Sequence, residues 1–260
     1  MEVIIRPDAE TAALLTARVL ASAIRQKPDL VLGLATGRTM ESVYAHLARL
    51  HAASGVSFAR VRTFNLDEYV GLPADHPQSY RRYMQEHLFS RVDIRRDRTH
   101  LPDGMAADWE AECAAYEAAI RASGGIDVQL LGIGVDGHIG FNEALSSFGS
   151  RTRRIALAPS TIAQNAAMFD GQTDRVPRQA VTMGVATILE SRRCVLLATG
   201  AGKAPVVARA VEGPLTAMVP ATALHLHPQT TIILDEAAAA GLAGKARYRE
   251  LEARDPAWDA

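Results

Sequence analysis

Cysteine is nearly missing from this sequence. Only Cys113 and Cys194 occur in 260 residues, far apart and in no Cys-x-x-Cys pair. That excludes a disulfide-stapled scaffold and a cysteine-ligated zinc finger, and leaves two reduced, buried thiols in a cytoplasmic protein as the expectation. An excess of either charge is missing too: 28 Lys and Arg stand against 29 Asp and Glu. A net charge near zero gives no electrostatic reason to expect nucleic acid or a membrane surface as partner. No apolar run reaches the ~18 residues that a membrane span needs. The opening "MEVIIRPDAE" has neither the basic start nor the long apolar core of a signal peptide. Internal repeats, low-complexity tracts and Ser/Pro linkers are also lacking, so one domain over residues 1–260 is the simplest account.

What is present is an alternation. Short apolar runs at 2–5, 30–35, 60–65, "IDVQLLGIG", 193–199 and 230–235 read as strands. Between them lie segments of helical period. One runs through Gln26 with Asp8 as its cap, and others are "MESVYAHLARLHAA", "PQSYRRYMQEHLFSRV" with Pro77 near its start, "DWEAECAAYEAAIRAS" ended by Gly124 and Gly125, and "KAPVVARAVEG". The charged end "KARYRELEARDPAWDA" reads as a peripheral helix. Strands in such alternation form a parallel sheet covered by helices on both faces. The predicted fold class is α/β, a three-layer α/β/α sandwich with a mainly parallel, Rossmann-like central sheet.

In open parallel sheets, ligands sit at the carboxyl ends of the strands. Four loops leave strands on that edge: "ATGRT" (35–39), "NLDEY" (65–69), "GVDGHIGFNE" (134–143) and "TGAGK" (199–203). The third crowds Asp136, His138 and Glu143 among glycines, Gly134 included. Histidine takes and gives protons near neutral pH, and flanking carboxylates at Asp136 and Glu143 would fix its tautomer. Asp67 and Glu68 offer either a helix cap or a base against a carbon acid. Thr36, Gly37, Arg38 and Thr39 precede a helix, where backbone N–H groups bind anions, and Lys203 adds charge from a second helix start. Together these suggest a phosphate monoester.

Three decoys fall away. "GIGVDG" fits the dinucleotide glycine pattern, but "HIGFN" is a poor helix start and the region near residue 155 carries no acid. "TGAGKAP" lacks the first glycine of a P-loop, having Leu197 there, and no Ser or Thr follows Lys203. Asp136, His138 and Glu143 have no recognised zinc spacing, although loop residues could still converge on a metal.

From about residue 2 to residue 250 the chain resembles the glucosamine-6-phosphate deaminases. The specific blocks are "FNLDEYVGLPADHPQSY" and "LLGIGVDGHIGFNEALSSFGSRTR"; "LATGRT", "TMGVATILESRRCVLLATGAGKA" and "AVEGPLTAMVPATALHLHP" support them. The 6-phosphogluconolactonases share the fold and "DGHI", but usually without "FNE" or the long "FNLDEYVGLP" segment. The resemblance implies that Asp67 moves a proton between C2 and C1 of an opened amino sugar and that His138 assists ring opening. It implies that Asp136 and Glu143 tune that histidine, while Lys203, Gly134 and the Thr36–Thr39 turn hold the phosphate. The chemistry implied is isomerisation of glucosamine 6-phosphate with loss of ammonia, giving fructose 6-phosphate, and the resemblance implies no metal and no organic cofactor. A paralogue acting on another amino-sugar phosphate such as galactosamine 6-phosphate, a lactonase, and a non-catalytic sugar-phosphate sensor stand as alternatives. A monomer and a homo-oligomer are both compatible with the sequence.

The chain departs from the family in places. Arg38 and Met40 stand where the family has a small residue and a proline. Ala167 in "NAAMFD" stands where the family carries a phosphate-binding arginine, and Ala144 replaces the proline of "FNEP". Arg38 is expected to supply the missing guanidinium. Some members are hexamers activated by an acetylated amino-sugar phosphate, and Ser146, Arg153 and Tyr248 match positions of that effector site. A lysine expected there is Ile155, so activation is expected to be weak or absent unless Arg154 stands in.

Overall fold

A computed structural model describes residues 1–254. Seven strands form a wholly parallel sheet: β1 (Glu2–Arg6), β2 (Val31–Leu34), β3 (Arg62–Asn65), β5 (Thr99–His100), β6 (Val128–Leu131), β9 (Arg193–Ala198) and β10 (Thr230–Asp235). Their spatial order is β1-β10-β9-β6-β2-β3-β5. β2, β6 and β10 are buried along their whole length, which is why they read as continuous apolar runs rather than alternating ones.

Eight helices accompany them: α1 (Ala9–Gln26), α2 (Arg38–Ser54), α3 (Tyr80–His87), α4 (Trp109–Ala122), α5 (Pro159–Asn165), α6 (Val185–Leu189), α7 (Ala204–Glu212) and α8 (Lys245–Glu252). Right-handed crossovers place α1, α2 and α3 on one face of the sheet and α4 and α7 on the other. Edge-to-face contacts agree, Tyr44 of α2 against Tyr83 of α3 on one side and Phe64 of β3 against Tyr116 of α4 on the other. The expected α/β class therefore holds. From β1 the chain crosses to β2, moves outward through β3 and β5, then returns to β6 on the other flank of β2. The direction of winding reverses between β6 and β2, the place where such sheets open a ligand crevice.

Asp8 caps α1 in a reciprocal capping box with Thr11, as expected. α3 begins later than Pro77 suggests, because Ser79 Oγ accepts from Arg82 N and so sets the first turn at Tyr80. The chain leaves α-helical geometry at Leu88 and makes a 3₁₀ turn at Phe89–Arg91. Of the expected C-terminal helix, Lys245–Glu252 forms; residues 255–260 lie outside the described residues.

The two-residue β5 and the short helices α5 and α6 escaped the sequence pattern, and so did a second sheet. β4 (Asp67–Tyr69), β8 (Gln179–Thr182) and β7 (Arg153–Ala156) form a second, antiparallel sheet in the order β4-β8-β7. Its strands are three or four residues long, too short for periodicity to register. A smaller core sits with this sheet, built of Tyr69, Phe141, Leu157, Ile162, Phe169 and Val176.

Candidate active site

The four loops singled out above leave β9, β6, β2 and β3, which are consecutive neighbours in the sheet. Asp67 opens β4 immediately after Leu66, whose N–H continues the β2 ladder by donating to Leu34 O. The small sheet then pins it, with Asp67 opposite Thr182 and Met183 N donating to Leu66 O at 2.7 Å. Asp67 is only 5 % exposed. Among the described residues nothing hydrogen-bonds to its carboxyl group. Burial, with Glu68 adding repulsion, pushes its pKa from 3.8 up to about 8.

Glu68 is placed quite differently. Its carboxylate accepts from Tyr69 N, Tyr80 N and Arg81 N, each at 2.9 Å. It thus fills the orphan donors at the start of α3, while burial still holds its pKa above the ordinary value. Of the two adjacent acids, one caps a helix and the other has no hydrogen bond to its carboxyl group among the described residues.

The loop after β6 folds back on itself. Gly134 N donates to His138 O at 3.0 Å, and a β-carbon at Gly134 would lie 2.2 Å from the imidazole Cε1, so only glycine lets the ring lie here. His138 Nδ1 is 2.7 Å from Asp136 Oδ1, an ion contact set off the straight hydrogen-bond line. That contact, above all, lowers the Asp136 pKa to about 2. Two residues on, Gly140 has φ +58, and a β-carbon there would lie 3.3 Å from Asp67 Oδ2 and 3.0 Å from Thr182 Oγ. The histidine loop therefore runs directly over the buried carboxyl group.

Glu143 departs from the expectation that it flanks His138. Its carboxylate accepts from Ala158 N at 2.9 Å and from Thr161 Oγ at 2.5 Å. The reason is local: the α5 N-cap is Ala158, which has no side chain to offer, so Glu143 supplies the missing acceptor.

Across the crevice, Thr36 and Gly37 turn from β2 into α2, whose first residues are Arg38 and Thr39. Gly37 has φ +112, and no side chain caps this helix. Lys203, at the start of α7, donates to Ile133 O at 2.6 Å. Burial lowers the Lys203 pKa, the charge of Asp136 raises it and the charge of Arg38 lowers it, so the three groups share one electrostatic neighbourhood. Arg38 is exposed and has no ion pair among the described residues. Ala167 lies exposed in the 3₁₀ turn Ala166–Phe169.

Of the three residues matched to an effector site, Arg153 and Ser146 meet and Tyr248 does not join them. Arg153 Nη2 donates to Ser146 Oγ at 3.2 Å. Tyr248 instead bonds Glu212, with α8 packed against β1 at the far edge of the main sheet. Ile155 packs into the small core, and Arg154, on the opposite face of β7, lies 5.5 Å from the centre of the Trp109 ring.

Sequence reading passed over Gly140 and Thr182 and gave Asn142 no role, yet the three build the contact between the Asp67 and His138 segments. Only Gly140, the glycine of "HIGF", hinted at it. A groove of about 840 Å³ lies at the opposite, amino-terminal edge of the sheet, lined by Leu15, Arg18, Arg193 and Thr230 among others. It gathers no imidazole and no buried carboxyl group, so volume does not locate the chemistry.

Residues 8–233 match the family described as glucosamine-6-phosphate isomerases/6-phosphogluconolactonase. A glucosamine-6-phosphate deaminase of Streptomyces coelicolor is 50% identical over 258 residues, 99% of either chain. A solved structure described as a monomeric glucosamine-6-phosphate deaminase superposes with a TM-score of 0.91 at 45% identity, covering 93% of this chain and 100% of that one. A 6-phosphogluconolactonase from Trypanosoma brucei superposes at 0.73 with 24% identity over 93% of this chain and 98% of its own, a likeness of fold alone.

Proposed function

The chain belongs to the glucosamine-6-phosphate isomerase/6-phosphogluconolactonase family, and from this premise we propose that it is a glucosamine-6-phosphate deaminase. The reaction converts glucosamine 6-phosphate and water into fructose 6-phosphate and ammonia. The observation that carries the site assignment is the pairing of a buried, unbonded Asp67 carboxyl group with the His138 loop laid across it.

In the proposed sequence, His138 opens the ring by carrying the O1 proton to the ring oxygen, its imidazole oriented by Asp136. Asp67 as carboxylate removes the C2 proton and returns it to C1. The C2 ammonium gives one proton to O1 as it becomes an iminium, and water adds there to expel ammonia. A carboxyl group with a pKa near 8 is a stronger base than one near 3.8, and the cationic amine of the substrate would hold it ionised when bound. Lys203, Arg38 and the Thr36–Thr39 turn, with Gly134 opposite, would take the phosphate, Arg38 serving in place of the arginine missing at Ala167. Glu143 is proposed to act by fixing α5 against the histidine loop. A doubly charged sugar phosphate does not cross a bilayer unaided, so the cytoplasm is the proposed site of action.

Purified protein supplied with glucosamine 6-phosphate should release ammonia stoichiometrically with fructose 6-phosphate. Hydrolysis of 6-phosphogluconolactone without ammonia release would favour the lactonase instead, and binding of the sugar without turnover would favour a sensor.

A further inference from the structure

Asn142 has a fully buried side chain on the histidine loop, and all its polar atoms are engaged. Its Nδ2 donates to Ile139 O at 3.0 Å and to Met183 O at 2.7 Å. Ile139 follows His138 directly. Met183 is the residue whose N–H donates to Leu66 O, next to Asp67. One amide group thus ties the backbone beside the histidine to the backbone beside the carboxyl group. What decides which end of that amide faces the two carbonyls is Arg153, whose Nη1 donates to Asn142 Oδ1 at 2.9 Å. A guanidinium only donates, so it must face the amide oxygen, and the amide nitrogen must then face Ile139 and Met183. Phe141 N, donating to Thr182 Oγ at 3.1 Å, fixes the same stretch from its other side.

We infer that Arg153 is a positioning residue for the reaction: acting through Asn142, it holds Gly140 and the His138 loop in register over Asp67. The inference rests on the deaminase reading of the site. The guanidinium is half-buried, and both ends are already used, one on Asn142 and one on Ser146. Arg153 therefore serves the chain's own loop rather than standing free for an outside anion.

The test is a double-mutant cycle on Arg153→Met and Asn142→Ala, with kcat and KM for glucosamine 6-phosphate, thermal unfolding, and hydrogen exchange of the 134–143 segment. Arg153→Met is expected to lower kcat by about tenfold to a hundredfold while KM changes by less than about threefold, as for misplaced reacting groups. The double variant is expected to be no slower than Asn142→Ala alone, because both changes break one chain of contacts. The exchange of residues 139–142 should quicken. Arg153→Lys, which keeps a donor for Asn142 Oδ1, should recover much of the loss. Additive losses in the cycle, a kcat for Arg153→Met within about twofold of the parent, or a lysine variant as slow as the methionine one would each overturn the inference. A parent protein that releases no ammonia would sink the deaminase reading instead, and hydrogen exchange would still decide the clamp.

Discussion

The carboxylate of Glu68 accepts three backbone N–H groups at 2.9 Å, while the carboxyl group of its neighbour Asp67 accepts none among the described residues. A short strand sends the two side chains to opposite faces, so one reaches the start of α3 and the other faces the crevice. Substitution should separate these roles. Asp67→Asn keeps the shape and removes the base, and kcat should fall by roughly 10²–10⁴-fold with the fold intact. Turnover within a few-fold of the parent would show that this group is not the base. Glu68→Gln should instead lower thermal stability, since a buried helix start loses its charged acceptor.

The elevated pKa of Asp67 has two consequences of opposite sign. Activity needs the ionised form, so kcat/KM should climb with pH and level off above about 8. Stability runs the other way. The folded state keeps the proton up to about 8 while the unfolded chain releases it near 3.8, so this group's contribution is full below 3.8 and is lost as pH rises through 8. Asp67→Asn should therefore unfold at a higher denaturant midpoint than the parent at pH 8.5, with a gain of several kcal/mol in stability, and show a smaller gain at pH 6. Equal denaturation midpoints for parent and variant at both pH values would mean that the carboxyl group is not desolvated.

Gly140→Ala would place a methyl group 3.3 Å from Asp67 Oδ2 and 3.0 Å from Thr182 Oγ, at a φ of +58. Both the backbone strain and the crowding push the histidine loop off the carboxyl group. A loss of kcat of about tenfold to a hundredfold is expected, with KM much less affected. Steady-state kinetics of the folded variant decide it, and a parent-like kcat would break the proposed geometry.

Arg38 has no ion pair among the described residues, and its charge acts on Lys203. If it grips the substrate phosphate, Arg38→Ala should raise KM by about tenfold, a single charge-assisted contact discounted for its exposure. An unchanged KM would rule the contact out. Lys203→Ala is expected to cost more, because this lysine is half-buried and the arginine is not.

N-acetylglucosamine 6-phosphate should leave the initial-rate curve where it is. Ile155 points into the small core, Arg154 lies over Trp109, Tyr248 is bonded to Glu212, and an effector would have to take Arg153 from Asn142. A strong leftward shift of the curve on adding the sugar would refute this.

The parallel sheet was legible because its strands are buried on both faces and its helices carry clear start signals such as Asp8. The small antiparallel sheet was not, since three- and four-residue strands leave no period to read. The loops bearing Asp67, His138 and Lys203 could be named because ionisable residues beside glycine at strand exits stand out locally. Their partners could not: the acceptor that α5 lacks at Ala158 is met by Glu143, fifteen residues earlier, and nothing in the spacing announces it.

The sequence by itself determined the fold class and the chemical types gathered at one sheet edge, because hydrophobic period and residue chemistry are local properties. Only the tertiary structure decided which acid is buried without a partner, which one caps a helix, and which arginine is already engaged. Those outcomes depend on desolvation and on hydrogen bonds between residues far apart in the chain, and neither is written in the spacing of neighbours.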